Sequence, residues 1–403
     1  MKILLFIEEK YPTDHVFLEE VYSKIFKQKG HEIIWVIRSQ KESNKITIKE
    51  WNNNKVYVLP SKNNILSDYL NLILSLKKLK IKFQKEGFDL VYVRNEPIMG
   101  IFANFISKTN RIPYVYQLTH LLSEETIYFA KNGFYGNRIK NLVVGYTSKI
   151  LTNYNIKRAS FVFAISNSMA SYLKRKRLRI KNIGVLPLGI NPVIKESLSD
   201  VKKLRDKYNL KKGKTLIYLG TLIRTRDPNF LFKIVSKLKK EDPEIKLLVV
   251  GEGKYPSDLL DYKNYVIKHS LQEQIIFTGQ IPRNQVQNYL SVADIAISQF
   301  PPVYLLKMNS PIKLMEYLNA GLPVVCNDHN IEQKEIIKAS GGGFCVSYNV
   351  DEFSEKISLL IKDDKLREQM GKLGQKYIRD ERNYEKLASG IEKTFLKLSG
   401  DKK

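Results

Sequence analysis

Asn309-Ser310-Pro311-Ile312-Lys313-Leu314-Met315-Glu316-Tyr317-Leu318-Asn319-Ala320-Gly321-Leu322-Pro323-Val324-Val325 reads as a loop, a short helix and the entry to a strand. Ser310 is the expected N-cap, Pro311 suits the first helical position, and Gly321 supplies a left-handed stop. Ile312, Met315 and Leu318 then share one stripe, while Lys313, Glu316 and Ala320 share another. The helix start offers free N–H groups and a positive dipole end, and Lys313 on its first turn adds a charge, which together suit a phosphate. Glu316 lies three residues further, about 4.5 Å along the axis. A carboxylate there accepts hydrogen bonds from a ribose beside a pyrophosphate. The same residues also fit an ordinary capped helix with a surface Lys and Glu, so the reading needs partners elsewhere in the chain.

At 403 residues the chain is long enough for two or three domains with ample core. Its 43% hydrophobic and 27% charged residues are those of a soluble globular protein. Cys326 and Cys345 are the only cysteines, which excludes a disulfide framework and points to a reducing, cytoplasmic setting. The opening Met1-Lys2-Ile3-Leu4-Leu5-Phe6-Ile7 is too short for a secretory core and suits a buried first strand. No window reaches 18 uninterrupted apolar residues, so no membrane-spanning helix is expected.

The formal charge of +26 is the outlier and draws anionic partners: phosphorylated substrates, acidic lipid or nucleic acid. Lys174-Arg175-Lys176-Arg177-Leu178-Arg179-Ile180-Lys181 holds six basic residues in eight. A second cluster, Lys77–Lys85, ends an amphipathic stretch that begins near Ile65; its Leu70, Ile73, Leu74 and Leu76 suit a membrane surface or a packed core. Nucleic acid is not the expected partner, because aromatics do not interleave the basic runs and no recognition motif occurs.

Strand-like runs alternate with helical patterns twice. Lys2–Ile7, Glu32–Ile37, Val56–Leu59, Leu90–Val93, Tyr114–Gln117 and Phe161–Ile165 read as buried strands, with a helix near Val16–Lys29. After a Pro/Gly-punctuated hinge candidate, Ile183–Pro192, the pattern restarts with Thr215–Leu219, Lys246–Val250, Ile275–Thr278, Ile295–Ser298, Pro323–Cys326 and Gly343–Val346. The expectation is two doubly wound α/β domains, 1–188 and 189–383, facing each other across a cleft, with a helix from about 384 to 403 returning to the first. Ligands of such sheets bind beyond the carboxyl ends of the strands, where strand order reverses.

Three loops of the second half follow strands directly. In Leu219-Gly220-Thr221-Leu222-Ile223-Arg224-Thr225-Arg226 the glycine admits close backbone approach, and Arg224 or Arg226 can clamp phosphate oxygens. Val249-Val250-Gly251-Glu252-Gly253-Lys254 is the second, and the loop-helix from Asn309 and Ser310 to Glu316 the third.

On these pieces the second half resembles the donor domain of retaining GT-B glycosyltransferases, specifically glycosyltransferase family 4. Leu219-Gly220-Thr221 stands at the phosphate loop and Leu247–Gly253 at the family's "vGdG" segment. Ile276–Pro282, Tyr289–Ile295 and Ser310–Glu316 follow in family order. In the first half Gly30-His31-Glu32 and Ala164–Ser168 with Val185–Ile190 are similar to family motifs. The resemblance implies two Rossmann-like domains and transfer from a nucleotide diphosphate sugar to a sugar, lipid-linked or other hydroxyl acceptor, without metal or other cofactor. It makes Glu316 the ribose ligand and a catalytic-site residue, and assigns the diphosphate and sugar to Lys313 and its adjoining amides, with Arg226 in the place of a family lysine. His120, after the strand Tyr114–Gln117, stands where the family has a histidine that contacts the reacting sugar; Glu124 and Glu125 follow it closely.

Three departures qualify that likeness. Met308 replaces the first glutamate of the family pair, Thr221 replaces an arginine, and Tyr11–His15 occupies the place of a glycine-rich loop. A sugar-nucleotide epimerase or an inactive scaffold on the same fold is the alternative. No Asp-x-Asp stands at a strand exit and no Cys/His spacing suits zinc, so no metal site is expected. His31, His269 and His329 read as structural.

Overall fold

The computed structural model describes residues 1–134, 136–176, 178–191, 198–253 and 256–400. Arg177, Pro192, Lys254 and residues 401–403, which figure in the motifs above, lie outside them. The chain forms two compact units, one of Met1–Leu188 with the segment from Tyr384 onward, the other of Gly189–Asn383.

Among the described residues the first unit has eight strands: β1 (Lys2–Tyr11), β2 (Glu32–Ser39), β3 (Thr47–Trp51), β4 (Asn54–Leu59), β5 (Leu90–Arg94), β6 (Tyr114–Leu118), β7 (Phe161–Ala164) and β8 (Ile183–Val185). They lie in the order β3-β4-β2-β1-β5-β6-β7-β8, all parallel except the β3–β4 hairpin. The central strands are uninterrupted apolar runs because helices cover both sheet faces. Ile3, Leu5 and Ile7 pack with Tyr22, Phe26 and Phe395, the last from the Tyr384–Gly400 helix. Phe6 points the other way, onto Phe102, which meets Phe83.

Two strands were not foreseen. β3 is an edge strand with exposed residues, so it lacks a buried alternation, and Asn52 and Asn53 make its turn at φ 47° and 58°. β8 forms within the segment read as a hinge, by pairing with β7. β1 also runs on past Ile7, with Lys10 opposite Arg38 and Tyr11 opposite Ser39; this continuation stands where the family has its loop.

In the second unit the described strands are β9 (Thr215–Leu219), β10 (Lys246–Val250), β11 (Ile275–Gly279), β12 (Ile295–Ser298), β13 (Val324–Asn327) and β14 (Gly343–Val346). Their order is β11-β10-β9-β12-β13-β14, parallel throughout. Connections run outward on both sides of the β9–β12 pair. That pair is the switch point, and the crevice beyond its carboxyl ends is where such sheets bind ligands. The Ile312–Asn319 helix connects β12 to β13 and so lies beside it.

Candidate active site

β9 leaves the sheet at Gly220 (φ +144°) and β10 at Gly251 (φ +139°), backbone angles that side chains rarely adopt. The two exits are stacked. Gly220 N–H donates to Val250 O (2.8 Å) and Leu222 N–H to Glu252 O (3.0 Å). A Cβ on Gly251 would overlap the Gly220 carbonyl oxygen and lie 2.8 Å from its carbon; a Cβ on Gly220 would overlap Lys313 Nζ and lie 2.5 Å from Cε. The glycines therefore make the space into which Lys313 extends.

Lys313 Nζ lies 4.6 Å from the centre of the Tyr218 ring and donates to its hydroxyl at 3.3 Å. Burial and then repulsion from Arg226 hold its pKa well below the usual lysine value, against a smaller attraction from Glu316. The Arg226 guanidinium sits 5.5 Å from the Phe300 ring centre. Among the described residues neither Lys313 nor Arg226 is in a salt bridge, whereas Arg224, Lys334 and Arg382 of the same unit are. Two basic side chains in no salt bridge among the described residues, at a strand switch point, make a candidate anion site.

The Tyr317 hydroxyl oxygen accepts from Leu219 N–H (2.7 Å), which fixes the helix to the β9 exit. Burial extends further round this helix than one stripe, to Leu314, Met315, Tyr317, Leu318 and Asn319. Glu316 remains on its partly open side; burial raises its carboxyl above the usual range, opposed by Arg283 and Lys313. Arg283, in the turn after β11, carried no sequence signal of its own. Gly321 ends the helix at φ +76° as expected, but Ser310 is not its cap. Pro311 occupies the N-cap with no side-chain hydrogen bond, and Ser310 instead acts on the buried Glu332 carboxyl, holding its pKa down. Burial pushes Glu332 up to about 7 despite Arg382, whose Nη2 lies 3.0 Å from Oε1.

The loop from β12 to this helix is held by fully buried amides. Asn327 accepts from Phe300 N–H (2.8 Å) and donates to Phe300 O (2.9 Å). Asn330 donates to Leu306 O and Asn309 O, each at 2.8 Å. Gln333 donates to Asn327 O (2.8 Å) and accepts from Ser298 Oγ (2.5 Å). Phe300 and Asn309 are thereby positioned by residues of a later strand and helix that carried no sequence signal of their own. Thr221 is exposed just past Gly220. Arg224 does not join Arg226: its Nε lies 3.5 Å from Asp258 and its Nη2 3.4 Å from Asp261. Met308 is buried, so an apolar side chain fills the place of the family's first glutamate.

In the first unit His120 follows β6 with its side chain 35% exposed. Thr119 Oγ1 lies 3.1 Å from its Nδ1, and Glu8 Oε2 lies 3.9 Å from its Nε2. Burial lowers its pKa, partly offset by Glu125. Asn95, at φ +58°, donates to Glu8 Oε1 and Thr119 Oγ1, both at 2.6 Å. Arg94, 4% exposed, pairs with Glu9. Desolvation lifts Glu8 and Glu96 to about 7 each. This polar cluster at the β1, β5 and β6 exits was visible in sequence only as His120. Glu124 turns away to Lys176 and Lys149, which also draws Lys176 out of the basic run. His31 bonds Glu392 (2.8 Å), His269 packs on Tyr265, and His329 bonds Val303 O (3.0 Å), all structural roles. Among the described residues no three His, Cys, Asp or Glu are grouped to hold a metal ion.

The model for glycosyl transferases group 1 matches residues 200–377, and that for glycosyltransferase family 4 matches residues 23–193. Alpha-monoglucosyldiacylglycerol synthase of Streptococcus pneumoniae is 24% identical over 260 residues, 62% of this chain and 54% of that protein. The chain thus spans about half the length of that relative. Sucrose-phosphate synthase from Thermosynechococcus elongatus superposes with a TM-score of 0.73 at 15% identity over the whole of both chains. Anabaena HepE in complex with UDP-glucose gives 0.71 at 17% identity, over 98% of this chain and 99% of that one. At such identities the superpositions establish the GT-B class of fold. The two family models between them take in most of both units, and the chain belongs to glycosyltransferase family 4.

Proposed function

We propose that this protein transfers a sugar from a UDP- or GDP-linked donor to a hydroxyl acceptor, with retention at the anomeric carbon, in glycolipid or polysaccharide synthesis. The observation that carries this reading is the Lys313–Arg226 pair, two basic side chains in no salt bridge among the described residues, set over glycine exits at the switch point. A nucleoside diphosphate supplies the missing anion. The names of the pneumococcal synthase and the UDP-glucose complex agree with a UDP-sugar donor and a lipid acceptor.

In this reading Lys313, Arg226 and the helix-terminal amides neutralise the leaving diphosphate, a preorganised electrostatic role that needs no metal. Backbone at Gly220 and Gly251 lies against the phosphates, Asn309 and Ser310 flank the sugar, and Glu316 accepts from the ribose hydroxyls. His120 hydrogen-bonds the reacting sugar or acceptor, and the acceptor oxygen attacks on the face that diphosphate leaves. Work at the inner face of a membrane fits the basic charge; no described helix is long and apolar enough to cross one.

Glu316→Gln tests the site. Losing the charged acceptor for two ribose hydroxyls is expected to raise donor KM or lower kcat/KM by about 10²-fold, at roughly 1.5–3 kcal/mol for a charged hydrogen bond. Unchanged kinetics with every accepted donor would sink the assignment. Buried Met308 favours a second reading, a scaffold or epimerase; a glycosylated product in a donor–acceptor assay excludes it.

A further inference from the structure

The first unit leaves an apolar ridge in water. On the Arg138–Arg158 helix, Ile139 (74% exposed), Val143 (62%), Tyr146, Ile150 (68%) and Tyr154 recur at steps of four, three, four and four residues. That spacing is one helix stripe, about 22 Å long. The opposite side is the packed one: Gly145 sits against Ile127, and Asn155 bonds Tyr114 Oη (3.0 Å) and Pro97 O (2.8 Å). A stripe of this kind normally faces a core; here the core is on the other side.

The neighbouring helices extend the surface. Ile65–Lys85 meets Pro97–Asn110 through Phe83 and Phe102 and through Lys80 over Phe105. Pro97–Asn110 in turn meets Arg138–Arg158 where Gly100 abuts Asn155. Leu70, Ile73, Leu74 and Ile81 of the first helix and Ile101 of the second are also exposed. These three helices carry eleven Lys and Arg, of which Lys149 pairs with Glu124, against one acid of their own, Asp68, which is occupied by Arg38 and Lys62 N–H. Arg138 and Lys140 lie at one end of the ridge helix and Lys157 and Arg158 at the other, while Lys77 to Lys85 lie on the helix across Pro97–Asn110 from it.

We propose that the outer side of this three-helix layer seats the protein on an anionic lipid bilayer, with Ile139, Val143, Tyr146 and Ile150 entering the acyl boundary and the flanking cations meeting the headgroups. The charge selects this occupant. Two copies of the face would set cation against cation, and a nucleic acid would leave the apolar ridge against phosphate; an acidic bilayer satisfies both features at once. The seat differs from the Lys174–Lys181 run, whose Lys176 is committed to Glu124.

Flotation of the full chain tests it, with vesicles of phosphatidylcholine alone or with about one-third phosphatidylglycerol. Binding is expected only to the acidic vesicles. Ile139→Ser/Val143→Ser/Ile150→Ser should weaken it 10- to 100-fold, from about 25 cal/mol per Å² of apolar area. Alanines at Lys77, Lys78, Lys80 and Lys82 should weaken it by a factor of ~5 each and abolish the lipid selectivity. Ile150→Trp should show blue-shifted emission on acidic vesicles alone, read above the wild-type signal of buried Trp35 and the half-buried Trp51 that packs on it. Thermal shift by UDP or GDP must be retained in all variants, which separates loss of the seat from misfolding and from failure of the donor-site reading. Equal flotation of the ridge variant, or a lipid-free dimer that buries the introduced indole, would overturn the proposal.

Discussion

Lys313 should take up a proton when the donor binds. In the free protein it is enclosed against Tyr218, with Arg226 the strongest charge acting on it, and its pKa lies well below that of an ordinary lysine. A diphosphate reverses that balance and favours the ammonium form. Between the two pKa values, free and bound, donor affinity should therefore fall as pH rises, by up to tenfold, or about 1.4 kcal/mol, per pH unit. Donor binding should then absorb up to one proton. Without donor the sign is fixed by the same shift: the unfolded chain holds a proton that the folded one lacks, so this residue makes stability rise with pH until the unfolded lysine titrates near about 10.4. The assay is calorimetric titration with a UDP-sugar in two buffers of different ionisation enthalpy, at about pH 8.5, where phosphate ionisation (second pKa about 6) is complete. Lys313→Met keeps the apolar stem and should remove the proton uptake together with most of the affinity. Equal proton counts in wild type and variant would refute the argument.

Gly220→Ala places a Cβ on Lys313 at a φ of +144° and should cost about 1–3 kcal/mol in thermal unfolding while weakening UDP binding; a neutral variant would contradict the stacked exits. Asn327→Ala removes two fully buried hydrogen bonds to Phe300 and should destabilise by about 2–3 kcal/mol, read from denaturant midpoints. Glu8 and Glu96 are raised to about 7, so the folded state binds more protons than the unfolded one between roughly pH 4.5 and 7, and their contribution to stability falls as pH rises through that window. Glu8→Gln/Glu96→Gln should flatten the decline of Tm between about pH 5 and 8; an unaltered slope would place the effect elsewhere.

Much of this protein was legible along its length. Alternating apolar runs and helical spacings place Thr215–Leu219 and Lys246–Val250 without reference to any neighbour, because a strand covered on both faces must be apolar throughout. Gly220, Gly251 and Gly321 mark sharp turns for the same local reason: each adopts a backbone angle that a side chain would strain. The β3 edge strand was lost because pairing with β4, not burial, defines it.

What tertiary structure alone decided is which charges remain unpaired. Arg224 and Arg226 lie two residues apart and are equal candidates in sequence, yet Asp258 and Asp261 occupy the first and no described acid meets the second. Ser310 was the natural cap, yet Pro311 takes that place and Ser310 acts instead on the Glu332 carboxyl, twenty-two residues on. Arg283 acts on Glu316 from a different turn, and Asn327, Asn330 and Gln333 hold the loop from a later strand and helix. The Ile139–Tyr154 stripe has the spacing of a core helix, and only the packing of its opposite side leaves it facing water. Local propensity follows from neighbours within a few residues, whereas burial, pairing and desolvation depend on atoms that only the folded chain brings together.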